Sequence, residues 1–132
     1  MYNLEKLLDI PFVDNGRDFN GVDCYGLLML YYKEILGIDV PDTKITAYQP
    51  NRTMAMYLDY VSRNWNEIKT PKKHCGVALS LNQNHPKLVT HFAVAIDEKR
   101  AIHTVKGKNT HIIDMDSPMF KPFIKGFYEW HN

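Results

Sequence analysis

A cysteine behind an aspartate and two histidines twelve residues apart are the residues of this chain best suited to chemistry. Cys24 follows Asp23 where apolar residues start to recur at helical spacing, with Cys24, Leu27, Leu28, Tyr31 and Ile35 at i, i+3, i+4, i+7 and i+11. A sulfur in the first turn of a helix sits among backbone N–H groups that lack intrahelical partners, at the positive end of the macrodipole, and both favour a thiolate. His91 and His103 flank the charged cluster Asp97-Glu98-Lys99-Arg100, which reads as the turn of a hairpin. With a three-residue loop at Asp97–Lys99, Ile96 pairs with Arg100 and Ala93 with His103, so the two histidines become diagonal neighbours on one face. A two-residue loop would throw them to opposite faces. On the histidine face lie Ala93, Ala95 and Ala101, small enough to admit a helix end, while Phe92, Val94, Ile96 and Ile102 are expected to face the core. Nucleophile Cys24, general base His91 and an orienting His103 are the parts of a thiol-peptidase triad.

These assignments compete with plainer ones. A cysteine on an apolar helical stripe is by default core, and any one of six histidines is by default a surface or satisfied core residue. His74, His85, His111, His131 and Cys75 are assigned no chemistry, Cys75 being read as a buried residue at a strand start. A zinc site on Cys24, His91 and His103 is conceivable by ligand type, but the spacing matches no zinc motif, and no metal or other cofactor is expected. Gly16, Gly21 and Gly26 make neither GxGxxG nor a P-loop, and no serine occupies a G-x-S-x-G elbow. Tyr25, Tyr31 and Tyr32 are placed to line a groove beside the helix.

The elements that must position this set follow from local punctuation. Asn15, Gly16, Asn20 and Gly21 form a tight loop leading into Asp23, which caps the helix, Gly26 allows a second backbone close to its start, and Gly37 ends it. A short helix is predicted near Asn3–Leu8 and a second over Thr53–Trp65. After Pro71, β-prone runs cover Gly76–Leu81, Leu88–Asp97, Arg100–Val105, Thr110–Ile113 and Phe123–Trp130, the last four read as an antiparallel meander. Helices followed by strands indicate an α+β fold, with N-terminal helices packed on a C-terminal antiparallel β-sheet.

Composition sets the outer bounds. The chain has 132 residues, 45% hydrophobic and 23% charged, which fits a single domain over residues 1–132 with a core that needs no metal or disulfide. A net charge of +1 argues against a nucleic-acid partner, and the absence of an 18-residue apolar run against a membrane span. The opening Met1-Tyr2-Asn3-Leu4-Glu5-Lys6 lacks the pattern of a secretory signal, so synthesis in the cytosol and delivery by another route are expected. Asn51-Arg52-Thr53 matches a glycosylation sequon by chance.

The segment Gly16–Leu28 (GRDFNGVDCYGLL) resembles the nucleophile segment of the NlpC-type (NlpC and p-sixty) cell-wall cysteine peptidases, whose hallmark is Asp-Cys-x-Gly-Leu at a helix start. His91-Phe92-Ala93-Val94-Ala95-Ile96 is similar to the family's His-Val-Gly-Ile-Tyr strand, and His103 falls where its third catalytic residue follows. Leu36-Gly37-Ile38-Asp39-Val40-Pro41 looks like the family's Leu-Gly-x-x-Leu-Pro. An aromatic after the cysteine, Tyr25, and a tryptophan before the strands, Trp65, resemble the phage tail-tip branch. The resemblance implies a papain-like domain that cleaves peptidoglycan stem peptides, typically between D-γ-glutamate and the following diamino acid, from the tail tip of a virion and beside other tail-tip proteins. It makes Cys24, His91 and His103 catalytic, gives the oxyanion to the Cys24 backbone N–H, and places Asp23 and Tyr25 against the substrate. Phe12 stands where the family often has a tyrosine that helps hold the oxyanion; one lost donor costs about 3 kcal/mol of transition-state stabilisation unless Asn15 or Asn20 replaces it. The rival expectation is a structural tail-tip protein that keeps the fold with little or no activity. A host cell-wall enzyme is the third, and needs an export route.

Overall fold

The computed structural model describes residues 4–42, 64–80 and 91–131. A 3-10 turn at Leu4–Leu7 leads to a hairpin of β1 (Arg17–Asp18) and β2 (Gly21–Val22), then to helix α1 (Cys24–Tyr31), continued by a π-helical turn at Tyr32–Leu36. The strands β3 (Trp65–Ile68), β4 (Gly76–Leu79), β5 (His91–Ala95), β6 (Arg100–His103), β7 (His111–Asp114) and β8 (Ile124–Trp130) form one sheet in the order β3-β8-β4-β5-β6-β7, every neighbour antiparallel. This is the α+β arrangement expected of the chain, a helix packed on a later antiparallel sheet.

Local rules account for the ends of the helix. Asp23 is extended (φ −93°, ψ −172°) and its carboxylate accepts the Gly26 N–H, the geometry of an N-cap. At the far end Gly37 adopts φ +67° and its N–H donates to the Lys33 carbonyl, a left-handed cap that costs a residue with a β-carbon about 1 kcal/mol. Between them Cys24, Tyr25, Gly26, Leu27, Leu28, Leu30 and Tyr31 are all buried, so α1 is apolar nearly all round and not amphipathic as its stripe suggests.

Helix and sheet enclose two cores. Leu27, Leu28, Tyr31 and Tyr32 pack on the sheet face formed by Phe92, Val94, Ile102, Trp65 and Trp130. The opposite face carries Val77, Leu79, Ala93, Ala95, Ala101, Ile113 and Met115, with Phe120 and Phe127 against them. The expectation that a helix end approaches the alanine face is therefore corrected. The helix takes the large-residue face, where more apolar area leaves water, and the alanines make room for Phe120 and Met115.

Two further expectations change. Trp65 opens β3 instead of closing a helix, because Trp65 pairs with Trp130 and their rings meet edge to face at 5.3 Å; residues 53–63 of that predicted helix lie outside the described residues, as do the sequon and His85. Strands β4 to β7 make the meander, but β8 leaves it and inserts between β3 and β4. Tyr128 and Trp130 join the helix-side core while Ile124 and Phe127 join the other, and a strand apolar on both faces is covered on both only inside a sheet. Among the described residues no helix is long and apolar enough to cross a membrane.

Candidate active site

The start of α1 overhangs the start of β5. The β5–β6 ladder ends at Val94 with Ile102, and the Phe92 N–H beyond it faces the Cys24 sulfur, as does the N–H of Tyr25. Burial dominates these donors: Cys24 is 3% exposed, and desolvation, reinforced by the Asp23 carboxylate, pushes its thiol up to about 12. The Cys24 side chain is thus a neutral thiol, and a nucleophilic role would require a base to take its proton.

The candidate base, His91, directly precedes Phe92 on β5. The β5–β6 register pairs Ala95 with Ala101 and Val94 with Ile102, which is the three-residue-loop register, so His91 and His103 share a face. The loop length has a local cause, since the Asp97 carboxylate accepts the backbone N–H groups of both Lys99 and Arg100. His91 Nε2 lies 2.9 Å from His103 Nδ1, and the rings meet edge to face. Burial, then the nearby His103 and His111, lowers His91 to about 3; burial, then His111 and Lys108, lowers His103 to about 4.

These shifts set an acid limit on stability. Both imidazoles are neutral in the folded chain below their ordinary 6.5, so the unfolded chain binds more protons there. Their contribution is complete above about pH 6.5 and is lost as pH falls towards 4 and then 3. The urea midpoint is expected to hold between pH 8 and 7 and to drop steeply below 6, with a shallower drop in His91→Gln. A wild-type midpoint flat down to pH 4 contradicts this assignment.

The helix cap is tied down by a residue the sequence reading passed over. Arg17, on the β1–β2 hairpin, places Nη1 2.7 Å from Asp23 Oδ1 and 2.9 Å from the Gly16 carbonyl, with Nε 3.2 Å from Asp42. Asp23 Oδ1 also accepts the Gly26 N–H at 2.8 Å, and Oδ2 accepts that of Asn15 at 3.1 Å. Desolvation still raises the Asp23 pKa, against the pull of Gly26 and Arg17. Asp23→Ala removes the cap and takes the 2.7 Å carboxylate partner from a partly buried guanidinium, so a loss of about 2 kcal/mol is expected in thermal denaturation.

The other candidates fall differently. Tyr25 is buried beside Cys24, its hydroxyl donating to the Pro41 carbonyl at 3.0 Å and its ring edge-on to Phe92. Tyr31 and Tyr32 line no groove: they are core residues whose hydroxyls meet His74 Nδ1 at 2.7 Å and the His74 carbonyl. Asn20 lies in the exposed turn between β1 and β2, and Asn15 is held at φ +63°. Phe12 bridges Val22 through its backbone. Cys75 is buried, with the Lys72 N–H on its sulfur and its pKa raised by desolvation. Among the described residues no group of three or more His, Cys, Asp or Glu is arranged to hold a metal ion.

His111 was given no chemistry on sequence grounds, yet its Nε2 lies 3.0 Å from His103 Nε2 and its Nδ1 lies 2.7 Å from the Asn109 carbonyl. The signal for it was pairing arithmetic: setting Arg100 opposite Asp114 and Ile102 opposite Ile112 also sets His103 opposite His111.

A helix packed on a later antiparallel sheet is the papain-like arrangement, and solved structures of NlpC/P60 proteins share that fold. An NLP/P60-family protein from Staphylococcus aureus, described as similar to lipoprotein, superposes with a TM-score of 0.66 at 21% identity, over 96% of this chain and 39% of its own. The NlpC/p60 domain of the peptidoglycan hydrolase SagA gives 0.63 at 17% identity, over 95% of this chain and 91% of that one. A NlpC/P60 family protein from Bacillus cereus gives 0.68 at 22%, over 94% and 36%. The chain thus spans under two-fifths of the Staphylococcus and Bacillus proteins and nearly all of the SagA domain. At these identities the likeness is one of fold. No family model matches the sequence, and no curated protein is similar to it in sequence.

Proposed function

We propose that this chain is an NlpC/P60-type cysteine peptidase that hydrolyses an amide bond of a peptidoglycan stem peptide, the D-γ-glutamyl bond to the diamino acid being the expected target. The observation that carries the reading is Cys24 at the start of α1, its sulfur against the Phe92 N–H and the adjacent His91 joined to His103 at 2.9 Å. The SagA domain, described as part of a peptidoglycan hydrolase, supports the substrate class. His91 takes the thiol proton as the sulfur attacks the carbonyl, and the Cys24 N–H donates to the oxyanion. His91 then protonates the departing amine, and water, deprotonated by His91, releases the acyl group from sulfur. Tyr25 and Asp23 flank the nucleophile and meet the stem peptide; for the Asp23 carboxylate to bind a free amine, Arg17 must give way.

Tyr25 directly after the nucleophile supports placing the enzyme at a phage tail tip, made in the host cytoplasm and acting in the host wall among other tail proteins. A structural tail-tip role is favoured by a specific set of observations: the nucleophile is 3% exposed with its thiol pushed up to about 12, and Phe12 offers no hydroxyl. Mass spectrometry of muropeptides after digestion under reducing conditions separates the two. New D-glutamyl and diamino-acid termini with wild type and none with Cys24→Ala support the peptidase. Equal inertness of both proteins supports the structural role.

A further inference from the structure

We propose that His111 is a positioning residue, the outer end of a three-imidazole chain that sets which nitrogen of His91 carries the proton. The proposal rests on the reading of Cys24 and His91 as nucleophile and base, and its geometry is that of a continuous chain. A backbone carbonyl only accepts, so His111 Nδ1, 2.7 Å from the Asn109 oxygen, carries a hydrogen. A neutral imidazole has one donor, so His111 Nε2 is an acceptor, and His103 Nε2 at 3.0 Å donates to it. His103 Nδ1 is then an acceptor, and His91 Nε2 at 2.9 Å donates to it. The His91 lone pair is thereby left on Nδ1, the one ring nitrogen not turned towards His103.

The reverse assignment disables the base. If His111 offered a hydrogen from Nε2, His103 would accept there and hold its own proton on Nδ1. His91 would then accept on Nε2 and hold its proton on Nδ1, with no lone pair for the thiol. The Asn109 carbonyl, in the loop between β6 and β7, selects between the two. The rings are held in place for this: His103 is edge-on to His111 with centroids 4.6 Å apart, and the Phe120 ring stands against it at 5.4 Å. His103 and His111 are directly opposed in the β6–β7 ladder, so backbone pairing fixes their separation.

The test needs no variant to begin with. Nitrogen-15 NMR of the imidazoles in wild type at pH 7.5 is expected to show Nε2–H for His91 and His103 and Nδ1–H for His111. In His111→Leu, His91 and His103 become tautomer mixtures, and alkylation of Cys24 by iodoacetamide, followed by peptide mapping, slows about tenfold with an unchanged circular dichroism spectrum. His111→Gln, whose amide oxygen accepts from His103 Nε2, restores the rate to within about twofold of wild type. A proton on Nδ1 of His91 in wild type, or unchanged tautomers and alkylation in His111→Leu, overturns the proposal. If wild type cleaves no peptidoglycan while tautomers and alkylation behave as stated, the peptidase reading fails and the positioning role stands.

Discussion

Cys24→Ala is expected to lower kcat on a peptidoglycan fragment by about ten-thousand-fold, to the residue that binding and the oxyanion donor alone supply. The effect is large because no other group can form the acyl intermediate: Cys75 lies in the other core, before β4, and among the described residues these are the two cysteines. Losing one buried sulfur costs the fold only about 1 kcal/mol, so the variant remains folded and the loss is chemical. Circular dichroism and the muropeptide assay on the same sample check both halves. A Cys24→Ala protein retaining a tenth of wild-type activity removes Cys24 from the mechanism.

Gly26→Ala is expected to destabilise the fold by about 3 kcal/mol, a fall in Tm of roughly 10 °C. Propensity alone predicts the opposite sign, since alanine in a helix is better than glycine by about 1 kcal/mol. The contact decides. A β-carbon at Gly26 would lie 1.9 Å from the Gly16 carbonyl oxygen and 3.1 Å from Arg17 Nη1. That oxygen is backbone, and it accepts the Arg17 guanidinium at 2.9 Å, so it cannot yield without dragging the β1–β2 hairpin and the Arg17–Asp23 pair off the helix start. Catalysis should fall with stability, because the same movement loosens the turn that carries Cys24. Differential scanning calorimetry reads the first effect, and a Tm equal to or above wild type contradicts the close approach.

Parts of the site were legible because their causes are local. The Asp23 cap and the Gly37 stop each act within a few residues of the helix end. The His91–His103 alignment followed from one loop length, and that length follows from a single carboxylate, Asp97, bonded within its own turn. Arg17 and His111 escaped notice for opposite reasons. Arg17 carries no motif or spacing that marks it in the sequence, and only the folded hairpin brings it to the cap. His111 looked like one more histidine until the β6–β7 register set it beside His103.

By itself the sequence determined that a helix begins at Cys24, that helices precede strands, and that a three-residue loop would set His91 and His103 on one face of a hairpin. Tertiary structure decided which face of the sheet the helix covers, where β8 inserts, what holds Asp23, and how the imidazole chain ends. The division has a physical reason. Caps, turns and alternation are settled by groups a few residues apart, whereas the placement of a strand or a helix is settled by how much apolar surface the whole chain removes from water. Tyr128 and Trp130 on one face of β8, with Ile124 and Phe127 on the other, register that balance only when both cores are present.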